Sequence, residues 1–89
     1  MTPQAFSFKL TVPNDPDGAT VVAVVAAHAV EYTGIEAAAG AAFVEKARAT
    51  AAQVLKTASG HNCLAVVAAK DGQLTVTIGG QSVSHPLPA

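Results

Sequence analysis

Charge is scarce in this sequence, and bulky aromatic groups are scarcer. Charged residues make up 12% of the 89 positions, against about 25% in an ordinary soluble domain. Aromatics make up 4%, and tryptophan is absent. The five Lys and Arg residues (Lys9, Lys46, Arg48, Lys56 and Lys70) are scattered, and the net charge is −1. With no basic stripe, the electrostatic footprint of nucleic acid binding is missing. A single cysteine, Cys63, excludes an internal disulfide and fits a reducing compartment. No apolar run approaches the roughly 18 residues of a membrane-crossing helix. The opening MTPQAFSF has no basic region followed by an apolar run, so no secretory signal is expected and the expected location is cytoplasmic.

What is present is alanine and valine, which dominate a hydrophobic fraction of 51%. A chain of this length makes one domain, 1–89, and buries only roughly 60% of its unfolded surface. The ordered part is expected over about 5–80, with 81–89 as a tail. Alanine contributes little buried area, so the core is thin. A thin core with so few charges predicts that another chain covers part of the surface, most simply as a homodimer.

The clearest pattern lies in FVEKARATAAQVLKTA, Phe43 to Ala58. At about 100° per residue, Phe43, Val44, Ala47, Ala51, Val54, Leu55 and Ala58 share one stripe. Glu45, Lys46, Gln53 and Lys56 fall opposite, so this is an amphipathic helix. It begins near Glu36, and Gly60 is its expected cap. Gly40 weakens it by about 1 kcal/mol relative to Ala, unless it serves a close helix approach.

Before it, Phe6, Phe8, Leu10 and Val12 alternate with Ser7, Lys9 and Thr11, the pattern of a strand with one wet face. In the segment from Pro13 to Gly18, Asn14 or Asp15 can cap a helix with Pro16 at its first position. Ala19 to Thr33 is then a helix closed by Gly34. Val21, Val25, Ala29 and Tyr32 form one stripe of it, with Val22, Ala26 and Val30 alongside. Apolar over most of its circumference, it predicts cover on more than one side. His28 and Glu31 occupy the remaining flank.

Cys63 to Ala69 is a strand apolar on both faces. Lys70-Asp71-Gly72-Gln73 is a hairpin signal. Leu74, Val76 and Ile78 then alternate with Thr75 and Thr77, and Gly79-Gly80 ends that strand. In QSVSHPLPA, Ser82-Val83-Ser84 can add a short edge strand. The expected fold is α+β, a two-layer sandwich in the order β-α-α-β-β: a small antiparallel or mixed sheet with both helices on one face.

Chemistry-bearing patterns are sparse. His28, His61, His85 and Cys63 have neither the i, i+4 nor the Cys-x-x-Cys spacing of a metal site. Cys63 opens a buried strand, where a thiol behaves as a small hydrophobe. Phosphate-binding and nucleophile-elbow motifs are absent. Glu45, Ala49, Ala52 and Lys56 predict a polar-to-small groove on the exposed side of the second helix.

A strand ending in Pro, a capped helix, a helix containing Val44-Glu45 and the hairpin LAVVAAKDGQLTVTI together resemble the histidine-kinase/Hsp90-like ATPase fold. The chain is most similar to bacterial anti-sigma factor serine kinases, over roughly Phe6 to Gly80. That family places an Mg²⁺-holding Asn four residues after its helical Glu, where this chain has Ala49. It places an adenine-reading Asp after the hairpin, where this chain has Gly79-Gly80-Gln81. The lid segment and later strands are not found before Ala89. Only Glu45 matches the motif. The resemblance therefore implies a degenerate relative with no catalytic residues and no cofactor, a regulatory module acting on itself or on a partner of the partner-switching type. Interface candidates are Val24, His28, Val66 and Val67. The alternatives are a small ATP-binding serine kinase of the anti-sigma type, and a small-ligand- or metal-binding protein of unrelated descent.

Overall fold

A computed structural model describes residues 5–57 and 62–87. The elements run β1 (Phe6–Pro13), α1 (Pro16–Thr33), α2 (Ala37–Thr57), β2 (Asn62–Lys70), β3 (Gln73–Ile78) and β4 (Gln81–Pro86). The strands form one antiparallel sheet in the order β1-β2-β3-β4, and both helices pack on a single face of it. The fold is α+β, as the patterning predicts.

Local chemistry starts and stops each element. The Asp15 side chain accepts from the Asp17 backbone N–H at 2.9 Å, and Pro16 follows in the first turn, where its missing N–H costs nothing. The helix thus starts three residues before the predicted Ala19. Gly34, at φ 76°, closes α1 by donating its N–H to the Val30 and Glu31 carbonyls. Buried Thr33 satisfies its hydroxyl within the last turn by donating to the Ala29 carbonyl at 2.9 Å. The Glu36 carbonyl accepts the first α2 bond, from Gly40 N–H at 2.7 Å. The predicted Gly60 cap, Ala58 and His61 lie outside the described residues.

Asp71 and Gly72 both have positive φ, 54° and 77°, the signature of the primed turn that a two-residue hairpin prefers. Gly79 and Gly80, at 56° and 84°, repeat it. That second turn corrects the sequence reading of the end. Gly79-Gly80 does not finish the sheet but folds the chain back into β4, six residues long, where the sequence reading gave a tail with at most a short Ser82-Val83-Ser84 edge strand. Val83 anchors this strand from within, and Leu87 N–H donates to the Gly72 carbonyl at 2.8 Å beyond it.

The core lies between the layers. From the sheet it takes Val12, Ala65, Val67, Ala69, Leu74, Val76, Ile78 and Val83. From α2 it takes Gly40, Phe43, Ala47, Ala51, Val54 and Leu55, the predicted stripe with Val44 at its border. Of the two adjoining stripes read on α1, the structure turns the second inward. Ala19, Val22, Ala26, Ala29 and Val30 point inward, while Val21 and Tyr32 are exposed. Of the Val21-Val25-Ala29-Tyr32 stripe only Ala29 is buried, so that stripe is the flank of α1. With apolar residues nearly all round, periodicity alone cannot choose the phase. The neighbouring α2 chooses it, because Gly40 lets Val30 approach closely.

Candidate protein-interaction surface

α1 runs back along β1 over its whole length. Gly18, in its first turn, sits against the Pro13 carbonyl, and Tyr32, in its last, meets the Phe6 ring edge-to-face at 5.5 Å. Between the helix flank and β1 lies a groove of about 450 Å³ lined by Phe6, Val25, His28, Ala29 and Tyr32. The flank continues to Val21, 38% exposed, while Val24, 52% exposed, stands on the crest. None of these groove and flank residues is an acid, a lysine or an arginine. Beside them runs β1, which among the described residues is an edge strand pairing with β2.

The opposite side of the molecule has different chemistry. A groove of about 510 Å³ separates α2 from the β3–β4 turn, and Lys46, Thr50, Gln53, Thr57, Gly79 and Gln81 line it. This replaces the expected groove of Glu45, Ala49, Ala52 and Lys56, of which only Ala49 reaches it. Here the sheet edge is β4, and the helix above it presents hydroxyl, amide and ammonium groups.

The outer face of the sheet carries Ser7, Lys9, Thr11, Thr75, Thr77, Ser82 and Ser84, with Leu64, Val66 and Ala68 along its middle strand. Val66 and Val67, both singled out from sequence, are separated by the pleat. Val66 is half-buried on this outer face, whereas Val67 is 1% exposed beneath the helices and belongs to the core. Val67 is thus withdrawn as an interface residue.

Glu45 points to solvent. Arg48, one turn on, donates through Nε to Glu45 Oε2 at 3.0 Å and through its terminal nitrogen to Oε1. The hydrogen bond from Arg48 and its charge hold the Glu45 carboxyl below its ordinary range and push the guanidinium up. A water-activating base at neutral pH requires the opposite shift. His85 is separate from it, on β4, with its ring against Phe43 at 6.3 Å. Cys63 is the second residue of β2, and His28 lies on the α1 flank. Among the described residues, no group of three His, Cys, Asp or Glu side chains gathers as metal ligands would. Among them, too, no helix is long and apolar enough to cross a membrane.

No protein-family model, curated protein or solved structure matches the chain.

Proposed function

We propose that this chain is a non-catalytic regulatory module that acts by association, chiefly with a second copy of itself. One observation carries the reading: the largely apolar flank of α1 with its aromatic-walled groove, which holds no acid, lysine or arginine and which the described residues leave open. Single exposed hydrophobes are ordinary, but a contiguous patch that includes aromatics is the composition of interface centres. The outer sheet face is a weaker candidate, because its Ser and Thr positions suit water.

The kinship with anti-sigma factor kinases belongs to this proposal in degenerate form, with a partner-switching protein as a further partner. The Glu45–Arg48 pair supports the non-catalytic part. The one residue matching the family motif is occupied by a neighbouring guanidinium, and Ala49 supplies no metal ligand. The ATP-binding and metal-binding alternatives gain no supporting observation.

Sedimentation equilibrium across the micromolar range tests the reading. The wild-type chain should be dimeric. Val21→Asp, which places a charge on the flank at a cost to the helix of only a few tenths of a kcal/mol from Asp17 one turn before it, should be monomeric with unchanged circular dichroism. A wild-type chain that stays monomeric throughout would refute self-association.

A further inference from the structure

Resting on that reading, we infer that the second copy docks edge to edge on β1, so that one sheet runs β4-β3-β2-β1-β1-β2-β3-β4 through the dimer. Two unsatisfied surfaces lie side by side on this flank of the molecule. One is the outward edge of β1 between Ser7 and Val12, which no other strand among the described residues pairs with. An unpaired edge of this kind is a template for another strand. The other is the apolar flank of α1, held directly above β1 by the Phe6–Tyr32 contact. A copy placed on β1 by a two-fold axis normal to the sheet covers both at once, because its own α1 arrives antiparallel against the first. A partner that packed on the helix flank alone would leave the edge open.

The register follows from parity and charge. Both copies must keep their helices on the same side, so residues of like parity face each other and the axis passes through a residue position. Centred on Lys9, the axis would oppose Lys9 to its own copy, which is unfavourable. Centred on Leu10, it sets Lys9 opposite Thr11 of the second copy and lies near the midpoint of both β1 and α1. Val25 then meets its own symmetry mate, and Val21 approaches His28 of the other chain, reciprocally as an isologous interface requires.

The size is adequate. The 18 residues of α1 and the 8 of β1 each run about 27 Å, and two layers stand about 10 Å apart. A strip of that length and two layers high gives about 1,100–1,600 Å² of total buried surface, at the lower end of standard stable interfaces. The β4 edge does not offer this combination. The α2 flank above it carries Lys46, Thr50 and Gln53, and β4 ends in Pro86, a residue typical of guarded edges.

Hydrogen exchange by NMR, run on the full chain at concentrations where sedimentation gives dimer and then on Val21→Asp, decides it. In the dimer the outward amides of β1 should exchange about 100-fold or more slowly than in Val21→Asp, while the outward amides of β4 exchange freely in both. A dimer whose β1 outward amides exchange freely, or whose protection falls on β4 instead, overturns the edge-to-edge arrangement and leaves self-association standing. A chain that never dimerises overturns both.

Discussion

Replacing Gly40 by alanine sets two opposite effects against each other, and the structure gives the sign. In a helix interior, alanine is favoured over glycine by about 1 kcal/mol. A Cβ at Gly40, however, would lie 2.3 Å from Val30 Cγ1, closer than any real contact. Val30 is buried, and as a β-branched residue in a helix it has essentially one χ1 rotamer, so it cannot turn aside. The helices must part instead. Overpacking of this kind costs about 1–3 kcal/mol, and with a stiff neighbour the upper part of that range applies. Gly40→Ala should therefore be net destabilising by about 1–2 kcal/mol, which for so small a domain is a fall in Tm of about 4–8 °C per kcal/mol. Val30→Ala alone should lose about 1.5–3 kcal/mol of burial. In the double variant the new methyl occupies the space vacated by valine, so the two changes should couple favourably by about 1–3 kcal/mol. Urea melts of the wild type, both single variants and the double variant measure this. Additivity within about 0.5 kcal/mol, or a single Gly40→Ala more stable than wild type, would refute the close helix approach.

Lysine at Val67, beneath the helices, should cost about 4 kcal/mol or more and leave the chain unfolded by circular dichroism, since an ammonium there finds no partner. Lysine at Val66, one residue earlier but on the outer sheet face, should leave the fold intact and the dimer undisturbed in sedimentation. Dissociation at Val66→Lys would move the interface to the open sheet face. The Glu45 carboxyl, followed by NMR, should titrate below the ordinary glutamate range and return to it in Arg48→Ala. Because the folded value is depressed, the pair's contribution is present above the ordinary carboxylate pKa and fades as pH falls through the lowered value. Identical titration in both chains would show that the pair does not persist in solution.

Where a pattern had two clearly different faces, it could be read without the structure. The α2 stripe from Phe43 to Leu55 and the Leu74-Val76-Ile78 alternation are of this kind, and so are the Asp15 and Gly34 caps, which follow from single-residue chemistry. The phase of α1 was not legible, because Val and Ala surround it and only the gap at Gly40 decides which face turns inward. β4 was legible at most as a short edge strand, Ser82 to Ser84, for another reason. Its QSVSHP has one inward anchor, Val83, and its existence depends on a Gly79-Gly80 turn that reads equally well as a terminus. The candidate interface was legible as a surplus of apolar surface but not as a place. Alternation puts Val66 and Val67 on opposite faces of β2, but not which face the helices cover, and Val21 joined the candidate surface only once the inward face of α1 was known.

The valines of α1 separate a bare helical surface from a covered one. Each costs about 0.5 kcal/mol of helix propensity relative to alanine, because its branched Cβ loses χ1 freedom against the preceding turn. At Val22 that cost is offset by burial in the core. At Val24, 52% exposed, and at Val21, 38% exposed, the described residues offer a smaller return. Alanine, abundant elsewhere in this chain, would serve a solvent-facing helix better, and Lys or Glu better still. A β-branched residue on an exposed helical flank is an advantage only where something packs against it. The groove walled by Phe6 and Tyr32 and the unpaired edge of β1 mark the same side of the molecule. Propensity, burial and backbone pairing thus point to one unfilled contact, and a second copy of the chain satisfies all three with surfaces it already carries.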